Sequence, residues 1–203
     1  MDVKINPDTN TLVREGIHNI INPFDLYAIE EALRLKEKFG GRVSVISLGP
    51  PQSINALKEA VGMGADVAIQ LSDRAFAGSD SWATSYTLAL AIKKIGEFDI
   101  ILCGKQAIDG DTGQVGPGLA SQLGITQLTY VFKIIRLDPE AGAIAVERLL
   151  EEGREIVEAR LPVLLTVVKD INQPRRPTLS HIRRASKLLI PTWTAADLPG
   201  ADP

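Results

Sequence analysis

Apolar positions along the chain follow two periods, one helical and one extended, and the switches between them mark out the elements. Tyr27, Ala28, Ala32, Leu33 and Leu35 recur at helical spacing, while Glu30, Glu31, Arg34, Lys36, Glu37 and Lys38 occupy the other face. A helix therefore runs from Asn22-Pro23 to Gly40-Gly41: Asn22 can cap the free amides, and Pro23 suits the first helical position. Residues 43–48 form a short β-branched run closed by Gly49-Pro50-Pro51, as in a buried strand. The spacing then predicts a helix over 53–63, a strand over 67–71, a helix over 81–94 and a strand over 99–103. Strands that alternate with helices at this interval form βαβ units, and such units build a parallel sheet.

The period changes near residue 126. Residues 128–137, 143–150 and 154–160 read as extended segments, and Glu151-Glu152-Gly153 supplies the glycine a tight hairpin needs. Residues 162–168 return to a buried run. The tail over 172–203 is rich in proline and basic residues, with no evident core of its own. The expected fold is α/β, a doubly wound and mostly parallel sheet with an added antiparallel hairpin. The expected division is an α/β domain over 1–170 and a smaller region over 171–203.

With 203 residues, 45% hydrophobic and 23% charged, the chain has the balance of one globular domain. A formal net charge of −3 gives no positive field to gather nucleic acid or an anionic membrane face. No apolar run approaches the ~20 residues of a membrane helix, so membrane insertion is not expected. The N-terminus carries no targeting pattern, and a cytoplasmic location is expected. Cys103 has no partner for an internal disulfide, and with His18 and His181 it makes a poor metal set. Cys103 ends a buried strand and is expected to pack in the core. No Ser/His/Asp or Cys/His arrangement stands out, so no catalytic side chain is assigned.

Candidate chemistry concentrates in the run from Cys103 to Pro117. It leaves the carboxyl end of a strand, where open α/β sheets bind ligands. Gly104 opens it; Gly110, Gly113 and Gly116 let backbone amides approach a phosphate, Thr112 adds a hydroxyl, and residues from Val115 onward offer a helix N-terminus. Lys105 and Gln106 are candidates for polar contact, and Asp109 and Asp111 are expected to bond loop amides or ribose hydroxyls rather than face a phosphate. Neither Gly-x-Gly-x-x-Gly nor Gly-Lys-Ser/Thr is present, so no dehydrogenase or NTPase loop is indicated. On spacing alone the segment reads equally well as a solvated Gly/Asp turn.

Taken whole, Cys103-Gly104-Lys105-Gln106-Ala107-Ile108-Asp109-Gly110-Asp111-Thr112-Gly113-Gln114-Val115-Gly116-Pro117 resembles the nucleotide loop of electron-transfer flavoprotein beta subunits. A second match is Val146-x-Arg148-x-x-Glu151-Glu152-Gly153-x-Glu155-x-Val157 with Pro162-x-Leu164-Leu165-Thr166, similar to that family's signature segment. Asn22-Pro23-Phe24-Asp25, Leu48-Gly49-Pro50 and Pro174-Arg175-Arg176-Pro177-Thr178-Leu179 support it. The resemblance implies a Rossmann-like adenine-nucleotide-binding subunit that pairs with an FAD-bearing alpha subunit and carries electrons rather than acting as an enzyme. Its pocket would hold FAD, with AMP as the alternative, lined by Asn22, Pro23, Phe24, Asp25, Leu48, Gly49, Gly104, Lys105, Gln106, Asp109, Gly110, Asp111, Thr112, Gly113, Gln114, Val115, Gly116 and Pro117.

The glycine-rich form of the loop resembles the bifurcating type, in which NADH reduces the beta-subunit flavin and electrons divide between high- and low-potential acceptors, ferredoxin among the candidates. Residues 170–187 resemble the loop that docks acyl-CoA or other dehydrogenases, with Ile171, Arg175 and Leu179 as candidate contacts. Basic residues such as Arg183, Arg184 and Lys187 also suit a solvated helix face. The family's first strand and C-terminal arm are expected to be missing from this chain. Trp82 and Tyr86, four apart on a helix, are read as core packing rather than a flavin-stacking surface. A rival from another class is a stand-alone AMP- or ATP-binding regulatory protein of the same fold.

Overall fold

The first helix, α1 (Pro23–Phe39), starts at its predicted proline and stops at Gly40, whose φ of 81° favours glycine. It is the first element in a computed structural model that describes residues 20–200. Expectations for residues 1–19, His18 included, and for 201–203 lie outside the described residues. Strand β1 (Ser44–Leu48) follows, then α2 (Ile54–Met63), β2 (Val67–Leu71), α3 (Ser81–Ile95), β3 (Ile100–Gly104) and α4 (Val115–Leu123). After these come β4 (Thr126–Asp138), β5 (Ala143–Leu150), β6 (Gly153–Arg160), β7 (Val163–Val167), α5 (Leu179–Lys187) and β8 (Thr192–Trp193). The doubly wound α/β arrangement with its hairpin is as the pattern predicts.

Pairing differs from expectation in one respect. Among the described residues the strands form two hydrogen-bonded sheets, β1-β2-β8 and β3-β7-β4-β5-β6, with β1 and β3 as facing edges. Side chains rather than ladders join them: Ile46 of β1 packs with Ile101 and Cys103 of β3 beneath Leu88 and Leu119 from the helices. Strand β7 is buried throughout, and its side chains alternate between faces. Val163, Leu165 and Val167 meet Ala28, Leu128, Val131 and Ile144 on the α1 side, while Leu164 meets Ala89, Ile92, Leu119 and Ala120 on the α3/α4 side. A strand covered on both faces favours apolar residues, and the one polar side chain in it, Thr166, is hydrogen-bonded.

Strand β4 changes partners midway, pairing β7 in parallel at its start and β5 antiparallel from Val131 onward. At the change Tyr130 takes φ 57° and donates its N–H to Thr166 Oγ1 at 3.1 Å. The tail builds no core of its own, as expected, yet it completes two others. Ile190 packs with Leu57 and Ala68, and Leu198 packs with Ile69, Leu71 and Leu90. Helix α5 lies on α2 through Ala185, which is 3% exposed.

Two expectations are corrected. Glu30, placed on the charged face of α1 opposite the apolar stripe, is buried at 3% exposure because the tail crosses over it. Trp82 is 64% exposed rather than in the core; only Tyr86 of the pair packs inward, against the cluster of Leu71 and Leu90. The spacing correctly put both rings on one face, since they stack at 5.5 Å with 7° between planes.

Candidate functional site

The carboxyl end of β3 runs against the N-terminus of α1, and a glycine makes the approach possible. A Cβ at Gly104 would lie 2.6 Å from Phe24 Cβ and 2.8 Å from Asp25 N, closer than any side chain tolerates. Gly104 donates its N–H to Asp25 Oδ1 at 2.6 Å. Asn22 Nδ2 donates to Asp25 Oδ2 and to the Gln106 carbonyl, each at 3.0 Å. The Lys105 ammonium stands over the Phe24 ring, 5.1 Å from its centroid. Two segments some eighty residues apart in sequence thus form one wall, and Asn22, Phe24, Asp25, Gly104, Lys105 and Gln106 are brought together as a group; Pro23 is exposed beside them.

Charge in this wall is constrained. Burial raises the pKa of the Asp25 carboxyl above its ordinary value, against the lowering effect of the bonds from Gly104 and Asn22. Burial, with the Asp25 charge added, pushes the Cys103 thiol up to about 12, so at neutral pH it is a protonated packing group. Asn22 Oδ1 is buried and has no hydrogen-bond partner among the described residues. An unfilled buried acceptor costs stability unless something donates to it.

Beyond Gln106 the chain forms a solvent-facing loop. Gln106 Nε2 donates to Asp111 Oδ1, Asp111 N–H donates to the Ala107 carbonyl at 3.0 Å, and Gly110 N–H donates to Asp109 Oδ1 at 2.9 Å. Asp111 and Gly113 both hold left-handed backbone, φ 52° and 63°. Thr112 Oγ1 meets Ser81 Oγ at 3.3 Å, tying the loop to the start of α3.

Helix α4 is then seated tightly. A Cβ at Gly116 would fall 2.6 Å from Thr166 Cγ2, and one at Gly118 would fall 2.8 Å from Ser85 Oγ. Gln114 gives no side-chain cap, so the first-turn amides of Val115 and Gly116 keep no partner from within the helix; Pro117 has no amide to offer. Free amides at a helix start, with a hydroxyl beside them, suit an anionic oxygen.

Leu48 and Gly49 belong to a different turn, at the end of β1, and no hydrogen bond joins them to the loop. Gln70, which was not among the expected site residues, holds that turn. Its Nε2 donates to the Pro50 and Pro51 carbonyls at 3.1 and 3.0 Å and to Ser53 Oγ at 3.0 Å, while its Oε1 accepts from Thr192 Oγ1 at 3.0 Å. A polar residue inside the apolar strand Val67–Leu71 was the available signal. Ser81 and Ser85, which seat the loop and α4, carried no comparable signal.

The candidate docking residues separate in space. Ile171 is half-buried against the core around Val131 and Val167. Arg175 is engaged within the chain, its guanidinium bonded to Glu30 at 2.7 and 3.1 Å and to Glu37. Leu179 projects into solvent at 87% exposure, and Leu189, not singled out by the sequence, does so at 93%. Among the described residues no cluster of three or more His, Cys, Asp or Glu could hold a metal ion, and no helix is long and apolar enough to cross a membrane.

Comparison with known proteins gives a concordant result. A family described as the electron transfer flavoprotein domain matches residues 9–198. An electron transfer flavoprotein subunit beta of Thermoanaerobacterium thermosaccharolyticum is 52% identical over 198 residues, covering 97% of this chain and 75% of that protein. Protein FixA of Azorhizobium caulinodans is 47% identical over 199 residues, covering 96% and 71%. An electron transfer flavoprotein subunit beta of Megasphaera elsdenii is 47% identical over 208 residues, covering 99% and 76%.

Proposed function

The chain belongs to the electron transfer flavoprotein domain family, among its beta subunits and FixA proteins, and from that premise we propose that it holds FAD at the 104–117 loop and passes electrons as half of a heterodimer. The observation that carries this reading is the unfilled bonding capacity where α1 meets the loop. Among the described residues Asn22 Oδ1 lacks a donor, and the amides of Val115 and Gly116 lack side-chain caps. An adenine nucleotide has the complementary groups, an amine and hydroxyls that donate and phosphate oxygens that accept.

In this reading Asn22, Phe24 and Asp25 line the adenine and ribose end together with Gly104, Lys105 and Gln106. Thr112, Gly113, Val115 and Gly116 receive the phosphates. Asp109, Asp111 and Gln114 shape the loop, and Leu48 and Gly49 close the pocket from the other sheet. The flavin supplies the redox chemistry, and the chain binds, orients and shields it. No side chain is required as acid or base.

The partner in this reading is an FAD-bearing alpha subunit, and the glycine-rich loop favours the bifurcating type with NADH as donor. Residues 171–203 form the dehydrogenase-facing region, with Leu179 as its apolar contact and Arg175 fixing its position. Cytoplasmic operation and ferredoxin as one acceptor complete the proposal. Co-expression with an alpha subunit tests it through the visible spectrum and the nucleotide released on denaturation. Two flavins per heterodimer support the reading, one flavin with releasable AMP moves the site to the mononucleotide form, and a chain that pairs with nothing and retains no nucleotide overturns it.

A further inference from the structure

Trp82 is the largest apolar side chain left open beside the loop, and its position is fixed from two directions. One face of its indole lies flat on the Tyr86 ring, at 5.5 Å and 7° between planes. Tyr86 is itself held, by packing against the cluster of Leu71 and Leu90 and by donating its hydroxyl to the Gly200 carbonyl at 2.7 Å. The preceding residue, Ser81, touches Thr112 at 3.3 Å, so the platform begins one residue from the loop tip. Trp82 is 64% exposed, with its ring backed on one side and open on the other. A rigid, pre-stacked indole offers a further planar ring a surface that costs little ordering to use.

Resting on the nucleotide reading above, we propose that Trp82 is the stacking surface for the second ring system of a dinucleotide, and that it makes the site select FAD over AMP. A mononucleotide ends at its phosphate, over the amides that open α4. A dinucleotide continues past Thr112, and the next aromatic surface on that side is Trp82. Trp82 is thus a specificity residue, and it has no part in binding the adenine half.

The chain contains two tryptophans, so Trp193→Phe leaves Trp82 as the only indole emitter. In that background FAD quenches the emission strongly and saturating AMP leaves it nearly unchanged. Trp82→Ala weakens FAD binding by the full chain about tenfold, the scale of one aromatic stack, while AMP affinity is unchanged and Trp82→Phe restores most of the loss. Equal losses for FAD and AMP, or no loss for either, overturn the proposal, as does a Trp82→Ala chain whose only defect is weaker pairing with an alpha subunit. A parent chain that binds AMP but not FAD also overturns it and leaves the nucleotide site standing. A parent that binds neither sinks the underlying reading instead.

Discussion

Helix α1 is gripped in two places by segments far away in sequence, and the two grips are finished to different degrees. At its middle, the strap over 172–178 pairs the buried Glu30 carboxylate with two arginines, though Asn172 Oδ1 is buried without a partner among the described residues. Arg175 bridges Glu30 and Glu37, Arg34 adds a bond to Glu30 at 2.9 Å, and Asn172 Nδ2 donates to the Tyr27 carbonyl and to Glu31, each at 2.9 Å. At its N-terminus, the wall built with Gly104 and Gln106 leaves Asn22 Oδ1 without a donor among the described residues and hands on to a helix with an uncapped start. Each grip leaves one buried amide oxygen open, so the difference lies in charge and in the helix start: the strap pairs its carboxylate, whereas the loop presents uncapped α4 amides that suit an anion.

The largest expected effect comes from unfastening the strap. Arg175→Ala leaves the buried Glu30 carboxylate with Arg34 as its remaining cation. Removing one partner from a buried ion pair costs about 3 kcal/mol, and urea unfolding should show a loss of that order. Nucleotide retention should be unchanged at temperatures where the variant is folded. If the variant lost its nucleotide while keeping its stability, the division between fastening and receiving surface would be wrong.

Next in size is the converse change at the loop. Thr112→Ala combined with Gly113→Val removes a hydroxyl and forces a β-branched residue into φ 63°, where it must pull the loop away from the start of α4. Loss of one charge-assisted bond and of the amide alignment should weaken nucleotide binding at least tenfold, equivalent to about 1.4 kcal/mol. Equilibrium dialysis reads that loss, and the unfolding midpoint without nucleotide should move far less than in Arg175→Ala.

The sequence made one of these grips visible and hid the other. The loop announced itself through Gly104, Gly113 and Gly116, because close approach and left-handed backbone need glycine locally. The strap did not, because Glu30 sits among charged residues on α1 and its partner lies 145 positions away. Periodicity reports which residues share a face, but not what later covers that face. The same blindness applied to Trp82 and Tyr86, correctly paired and wrongly buried, and to the break between β1 and β3, since pairing between distant strands leaves no mark on either one. Strand β7 was plain because burial on both faces favours a run that is apolar except at the hydrogen-bonded Thr166.

The smallest expected effect is one of slope, and it sets the two grips directly against each other. Burial acts to raise the Glu30 pKa, but the bonds from Arg175 and Arg34 outweigh it and hold the carboxyl below its ordinary value of 4.5. The folded state therefore releases this proton more readily than the unfolded chain. Its contribution is present above pH 4.5 and is lost as pH falls through the depressed value. Asp25 behaves oppositely: burial raises its carboxyl above the ordinary 3.8, so its contribution is present below that value and is lost as pH rises through the raised one. Unfolding free energies of the parent, Glu30→Gln and Asp25→Asn across the acid range separate the two. Parent minus Glu30→Gln should increase with pH, and parent minus Asp25→Asn should decrease. Slopes of the same sign would show that the two carboxyls sit in equivalent settings, and the contrast between a carboxylate paired with arginine in the strap and one in the wall paired with no cation among the described residues would fail.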